Sequence, residues 1–109
     1  MDKNWLQQVI MYYNISYNAV TESTSVPVPE TCNGFTVKNN GTTIVLLNGM
    51  IPIVPGSSVA IGGNYGEIYG GRCDIRFQVP APPPGTITNS AVVMFKFYMS
   101  DRGYDNPSL

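Results

Sequence analysis

Short runs of alternating apolar and polar residues, separated by Asn-Gly and Pro-Gly pairs, fill residues 33–61. A tight type I′ hairpin turn needs positive φ at both central positions, which Asn tolerates and Gly adopts without steric cost. The pattern therefore predicts a β-meander with turns at Asn40-Gly41, Asn48-Gly49 and Pro55-Gly56. The predicted strands are residues 35–39, 42–47, 50–54 and 57–61.

A second alternating segment, residues 72–79, predicts a single strand with one face in water. Its apolar face would carry Cys73, Ile75, Phe77 and Val79, and its polar face Arg72, Asp74, Arg76 and Gln78. Since Asp74 lies between two arginines at strand spacing, we interpret it as part of a solvated ion-pair ladder and not as an acid-base group.

Residues 91–100 form a nearly continuous apolar run. Such a run is typical of a strand buried on both faces, or of one buried on its own core and against a neighbouring chain. The proline-rich residues 80–85 before it predict a stiff connector. The polar residues 101–109 after it are predicted to form a tail.

The first 29 residues differ in character from the rest. Trp5, Leu6, Val9, Ile10 and Tyr13 have the spacing of one side of a short helix, yet residues 9–13 are also rich in strand-forming types. We favour strand or extended chain from Val9 onward. Residues 21–29 have the composition of a linker, because Pro27 and Pro29 hold their neighbours extended.

These segments together predict an all-β fold, a compact antiparallel sandwich or small barrel of about six to seven strands with an extended N-terminal arm. We divide the chain into an arm and linker at residues 1–29, which is a candidate anchor, a β domain at residues 30–100 and a tail at residues 101–109.

Charge is scarce in this chain of 109 residues, of which 12% are charged, and no residue between Lys38 and Glu67 carries a charge. Either Asn, Thr, Ser and Gly keep this region solvated, or one sheet face or edge meets another subunit, where charge is depleted. The net charge of −1 argues against nucleic-acid binding. The chain has no apolar run long enough to span a membrane and no apparent secretion signal, so we expect neither membrane insertion nor export.

The residues needed for catalysis or metal binding are sparse. Histidine is absent, and the two cysteines, Cys32 and Cys73, lack the paired spacing of zinc sites. We expect two free, buried thiols in preference to a disulfide. The glycine-rich residues 62–71 lead into no helix pattern, so we interpret them as a wide loop that presents Tyr65 and Tyr69 and not as a phosphate loop. We predict no enzyme activity, no cofactor and no metal.

Large aromatic and apolar side chains are the candidates for partner binding, because Trp and Tyr dominate binding energy at interfaces. The alternative is that the N-terminal cluster packs on its own domain. The candidates are Trp5, Leu6, Val9, Ile10, Tyr12, Tyr13, Tyr17, Tyr65 and Tyr69.

The cadence of residues 34–49 and 55–68, with its Val-Lys-Asn-Asn-Gly-Thr and Val-Pro-Gly-Ser-Ser segments, resembles small β-rich virion proteins of tailed bacteriophages. The likeness is to the decoration and head-fibre proteins of crAss-like phages, and its segments cover about a third of the chain. It implies a non-enzymatic structural role on the capsid exterior, with the major capsid protein or another virion protein as partner. It also implies symmetric copies, an anchor formed by the N-terminal segment, and synthesis in the host cytoplasm before incorporation into the virion.

Three alternatives stay open on sequence alone. A carbohydrate-binding module would stack sugar rings on Tyr65, Tyr69 and Trp5, and a virion protein of the tail or neck would share the same composition. A small hydrolase would have to use carboxylates such as Glu67 and Asp74. For self-association we favour a dimer over a trimer, since two-fold association is the commonest closed symmetry.

Overall fold

The structure, a computed structural model, describes residues 11–100, which form two four-stranded antiparallel sheets. Sheet A has the strand order β1-β8-β3-β6, and sheet B has the order β2-β7-β4-β5. The described part of the chain holds no apolar helix of membrane-spanning length. The strands are β1 Met11–Val20, β2 Thr24–Ser25, β3 Gly34–Asn39, β4 Ile44–Leu47, β5 Ile51–Ile53, β6 Ser58–Gly62, β7 Asp74–Gln78 and β8 Ala91–Ser100.

The prediction of an all-β antiparallel fold is confirmed. Of the two predicted forms, the described residues adopt the sandwich and not the closed barrel. Alternate residues of the central strands point into the space between the sheets, and burying each such side chain contributes roughly 1.5–3 kcal/mol. The fully buried apolar residues include Val37, Val45, Leu47, Ile53, Ile75, Val93 and Phe95.

The predicted meander is wrong in its pairing, although its strand positions are close to those observed. β3 and β6 pair with each other in sheet A, while β4 and β5 form a hairpin in sheet B. The chain therefore changes sheet between β3 and β4 and changes back between β5 and β6. Of the three predicted turns, only Asn48-Gly49 joins paired strands, with φ values of 54° and 73°.

The first change of sheet depends on Asn39, a polar residue that is completely buried. Its side-chain amide donates to the carbonyl oxygens of Thr43 at 2.7 Å and Ile53 at 2.8 Å. Its side-chain oxygen accepts from the Gly41 N–H at 2.9 Å. These bonds bend the chain away from sheet A, so the Asn40-Gly41 pair forms a corner between sheets instead of a hairpin turn.

The segment after Val9 was predicted as strand, and from Met11 onward this is confirmed. β1 pairs along ten residues with β8, from Met11 opposite Ser100 to Val20 opposite Ala91. Residues 13–19 are exposed on both faces of the strand. Residues 20–28, placed by sequence in an arm and linker, contribute Val20 and Val26 to the core.

The other two sequence-predicted strands form with one correction each. Cys73, directly before β7, and Ile75 within it are buried, and Arg76 and Gln78 are exposed, as predicted. Val79 is exposed because the strand ends before it. In β8, the face toward sheet B is buried and the opposite face is only half-buried. β8 is therefore not buried on both faces within this chain. The candidate site lies on its half-buried face.

Candidate functional site

The side of sheet A that faces away from sheet B, here called the outer face, is unusually apolar along β1 and β8. On β8 the residues that point to it are Val92, Met94, Lys96 and Tyr98, which alternate with the buried Ala91, Val93 and Phe95. Directly paired residues of antiparallel strands point to the same face. The register with β1 therefore adds Tyr13, Ile15, Tyr17 and Ala19 to the outer face.

β1 has a strongly two-sided composition. Its outer-face residues Tyr13, Ile15 and Tyr17 are 55%, 38% and 67% exposed. The residues between them, Asn14, Ser16 and Asn18, are polar. They point toward the sheet B side but are also exposed. An apolar row that is left in water while polar residues occupy the inner side is the reverse of ordinary sandwich patterning. Exposed apolar rows of this kind mark interaction surfaces.

Three tyrosine rings meet at one end of the outer face. The Tyr98 ring makes edge-to-face contacts with Tyr13 at 5.8 Å and with Tyr65 at 5.9 Å between ring centroids. The Lys96 ammonium lies 4.6 Å from the centroid of Tyr13 and 4.7 Å from that of Tyr98. Cation–π attraction and the edge contacts hold these side chains in place and leave ring surface exposed.

Asn33 positions this tyrosine cluster. Its side-chain oxygen accepts from the Tyr98 N–H at 2.6 Å, and its side-chain amide donates to the Glu67 carbonyl oxygen at 2.6 Å. Its carbonyl oxygen accepts from the Gly63 N–H at 2.9 Å. This buried side chain, one residue before β3 begins, thus ties the loop that carries Tyr65 to β8, just beyond the last β3–β8 pair, Gly34 with Lys96.

Beside the tyrosine cluster is a shallow depression of about 310 Å³. Glycines form much of its floor, and a Cβ atom at Gly34 would collide with the backbone of Ile61 and Gly63. Its polar side chains are Thr36, Asn64, Lys96 and Tyr98. The lining residues are Gly34, Phe35, Thr36, Ala60, Gly62, Gly63, Asn64, Lys96 and Tyr98.

Three of the predicted partner-binding residues, Tyr13, Tyr17 and Tyr65, lie on or beside the outer face. Tyr69 lies apart from it, half-buried, with its hydroxyl donating to the Arg72 carbonyl oxygen at 2.7 Å and its ring against Phe35. Trp5, Leu6, Val9 and Ile10 lie outside the described residues, as does the Tyr12 side chain.

Sequence interpretation missed Ile15, Lys96 and Tyr98. The last two lie in the apolar run 91–100, which was predicted to be buried. The signal that would have found them is their spacing, since Lys96 and Tyr98 share the even positions with Val92 and Met94. A charged residue in that row predicts that the whole row faces solvent or a partner.

The titratable groups of the described residues do not assemble into a metal site. No cluster of three or more His, Cys, Asp and Glu side chains occurs among residues 11–100. The Arg72 Nε atom lies 3.2 Å from the Asp74 carboxylate, which confirms one half of the predicted ion-pair ladder. Cys32 and Cys73 are both buried and free, as predicted. Burial, with smaller contributions from Asp74 and Cys32, raises the pKa of Cys73 from 9.0 to about 12.

The geometry of the outer face is therefore suited to contact. Along β1 and β8 it combines exposed aromatic rings, the Lys96 ammonium and an edge strand, β1, which pairs within residues 11–100 only with β8. Comparisons with protein-family models, with curated proteins and with solved structures found no match to this chain.

Proposed function

We propose that this chain is a non-enzymatic structural protein of a virion, which associates with copies of itself and docks on the capsid exterior as a decoration or head-fibre component. The observation that carries the proposal is the exposed apolar row Tyr13, Ile15 and Tyr17 on an edge strand of sheet A. Leaving such a row in water is unfavourable, so a surface that covers it is stabilising.

The distribution of charge supports association. Interface centres are depleted in charged residues and enriched in aromatic ones. On the outer face the paired positions of β1 and β8 include a single charged residue, Lys96, whose ammonium already interacts with two rings. The β1 and β8 part of the outer face therefore has the composition of an interface and not that of an ordinary solvated sheet.

Placement in a virion is supported by the resemblance of residues 34–49 and 55–68 to head-surface proteins of tailed phages. Those residues correspond to β3, β4, β6 and the loop of Tyr65. In this proposal the β domain faces outward, and the N-terminal segment with Trp5 seats on the major capsid protein or another virion protein. The interaction with copies of itself uses the outer face and edge of sheet A.

The proposal is tested by comparing the native chain with a Tyr13→Ser/Tyr17→Ser variant in sedimentation velocity and native mass measurements. We expect a native oligomer that the double substitution weakens at least about tenfold, because two exposed rings leave the interface. The matched control is Met50→Ser, since Met50 is 74% exposed but lies at the β4–β5 turn. A native chain that stays monomeric and never co-fractionates with capsids would contradict the proposal.

A second candidate function, carbohydrate binding, is favoured by the depression beside Tyr65 and Tyr98. Exposed rings beside Asn64 and Lys96 offer both stacking and hydrogen bonding to a sugar. Of the two loop tyrosines predicted to bind sugar, Tyr69 packs against Phe35 and is hydrogen-bonded within the fold, so Tyr98 takes its place in this site. A glycan array with the native chain and a Tyr65→Ala variant tests it, with Met50→Ala as control. Array signal that survives in Tyr65→Ala, or a blank array, would dispose of this candidate.

A further inference from the structure

The hydrogen bonds of β8 reveal which backbone groups of β1 are free. The Lys96 carbonyl oxygen accepts from the Asn33 N–H at 2.8 Å, and the Tyr98 N–H donates to the Asn33 side chain. Even-numbered residues of β8 therefore direct their backbone groups toward β3, and odd-numbered ones toward β1. In the register of β1 with β8, the odd-numbered β8 residues face the even-numbered residues of β1.

It follows that the odd-numbered residues of β1 point their N–H and C=O groups away from β8. These residues are Met11, Tyr13, Ile15, Tyr17 and Ala19, and no described residue pairs with them on that side. Four of the five are also the residues whose side chains lie on the outer face. The same segment thus presents both an open hydrogen-bonding edge and an apolar row.

The other sheet edges are protected in ways that β1 is not. β2 has only two residues, and β5 has three and includes Pro52, which has no N–H. β6 has five residues and ends in the Gly62-Gly63 loop, where φ is positive. β1 has ten residues with no charge and no proline. Natural proteins shorten, charge or cover exposed edges to prevent pairing, so an unprotected edge of this length is suited to a partner strand.

We infer that β1 pairs with β1 of a second copy of this chain, antiparallel and with Ile15 on the two-fold axis, so that two sheets A join into one eight-stranded sheet. The inference deepens the proposed function and rests on it, because it names the partner and the contact through which self-association occurs. With Ile15 opposite Ile15, Tyr13 of each copy lies opposite Tyr17 of the other, and Met11 opposite Ala19.

This arrangement gives every free backbone N–H and C=O group of the β1 edge a hydrogen-bond partner. Each of the five paired positions exchanges two backbone hydrogen bonds, about ten in all, which matches the number in a typical specific interface. Tyr13 and Tyr17 become cross-strand aromatic neighbours on the outer face, a stabilising pair in antiparallel sheets. No other symmetric register uses all five positions.

Charge does not oppose the pairing. β1 has no ionisable carboxylate or ammonium group, and Lys96 lies opposite Ile15 on the neighbouring strand. In the joined sheet the two Lys96 residues are separated by three strand spacings, about 14 Å. That separation exceeds the screening length of about 8 Å at physiological salt, so their repulsion is small.

The first test removes one free N–H. Ile15→Pro deletes a donor that points away from β8, so the β1–β8 ladder is kept, and an edge strand tolerates proline at such a position. We expect the dissociation constant of the dimer to rise about tenfold or more, because each copy loses a hydrogen bond and gains a clash. The matched control is Ala60→Pro on the β6 edge of the same sheet, which should leave the dimer unchanged.

The second test checks the register and keeps the inference falsifiable if Ile15→Pro fails to fold. Hydrogen-bonded antiparallel partners have Cα atoms about 5.5 Å apart, within the range of a disulfide. Under mild oxidation an Ile15→Cys variant should form a covalent dimer. Tyr17→Cys should not, because the two Tyr17 residues are about 13 Å apart in this register.

The outcomes separate this inference from the proposed function. Suppose that the oligomer persists in the Ile15→Pro variant and that the Ile15→Cys variant forms no covalent dimer. The edge pairing would then be overturned, while assembly through another surface would remain possible. A cross-link at Tyr17→Cys but not at Ile15→Cys would overturn the register. A native chain that is monomeric at every concentration would overturn both proposals.

Discussion

Asn39 shows how a single buried polar side chain can direct the path of the chain. A buried amide is costly unless its donors and acceptor are all paired. Here both amide hydrogens reach carbonyl oxygens of Thr43 and Ile53, and the oxygen caps the corner at Gly41. The side chain therefore links the end of β3 in sheet A to β4 and β5 in sheet B.

Replacing Asn39 with Ala should lower the free energy of unfolding by about 3 kcal/mol, because two buried carbonyl oxygens and one N–H lose their partner. Asn39→Asp should also destabilise the fold, since a carboxylate would face those carbonyl oxygens. The control is Asn40→Ala, where the neighbouring residue is exposed and the change should cost little. Urea unfolding followed by tryptophan and tyrosine fluorescence measures both, and equal effects at residues 39 and 40 would refute this role.

Cys73 makes the free energy of unfolding depend on pH in the alkaline range. Its pKa is about 12 in the folded chain and 9.0 for a thiol in water, so the unfolded chain releases the thiol proton first. Well below pH 9 the thiol is neutral in both states, and above pH 9 it ionises in the unfolded chain first, which lowers the free energy of unfolding. We expect the free energy of unfolding to fall between pH 9 and pH 12 with a slope approaching about 1.4 kcal/mol per pH unit from this group.

The measurement is the difference between the native chain and a Cys73→Ala variant across that pH range. The variant will be less stable at neutral pH because it leaves a cavity, but its stability should fall less steeply above pH 9. The two proteins are otherwise identical, so the comparison isolates the contribution of this one thiol. Parallel stability curves for the two proteins would show that Cys73 does not carry this dependence.

At the scale of elements, strand positions were predictable from the sequence and strand pairing was not. Gly and Asn mark where a strand stops, which is a local property, and β3, β4, β5 and β6 begin and end within about two residues of the prediction. Which sheet the next strand joins depends on non-local contacts. Asn40-Gly41 and Asn48-Gly49 are the same dipeptide, yet only the second has the positive φ values of a hairpin turn.

The corner at Gly41 gives a direct test of that difference. A Cβ atom at Gly41 would overlap the Thr88 carbonyl oxygen, which belongs to the segment that leads into β8. Gly41→Ala should therefore destabilise the fold by about 1–3 kcal/mol through backbone overpacking. Gly85→Ala is the control, because a Cβ there meets nothing within 4 Å, and its effect should be neutral or slightly stabilising. Thermal unfolding of both variants checks this, and a stable Gly41→Ala would contradict the corner geometry.

The candidate site was predictable in part for the same reason. Tyr13 and Tyr17 were found from composition, since aromatic residues near a terminus are conspicuous. Tyr98 and Lys96 were not, because the apolar run around them suggested burial on both faces. Only the register of β1 with β8 shows that Tyr98 faces Tyr13 and that Lys96 faces Ile15. The tyrosine cluster is therefore a product of pairing across more than eighty residues of sequence.

At the scale of the whole molecule, the apolar row of β1 and the ion pair of the described residues lie on different sheets of the sandwich. The ion pair of the described residues, Arg72 with Asp74, lies beside sheet B. The open edge of β1 carries no charge, and Lys96 is held over the rings of Tyr13 and Tyr98. An assembly built through this edge depends on backbone hydrogen bonds and aromatic burial, whereas an assembly through the surface around Arg72 and Asp74 would depend on charge.

The dependence of self-association on salt distinguishes these two assemblies. For pairing through β1 we expect the dissociation constant to change less than about threefold between 0.05 and 0.5 M NaCl, because no close charge pair is screened. The Ile15→Glu variant is the counterpart, since it places two carboxylates together on the two-fold axis. Its association should be weak at low salt and should recover as salt screens the repulsion. Sedimentation equilibrium measures both proteins, and native association that weakens tenfold or more with salt would assign the contact to the surface around Arg72 and Asp74 instead of the β1 edge.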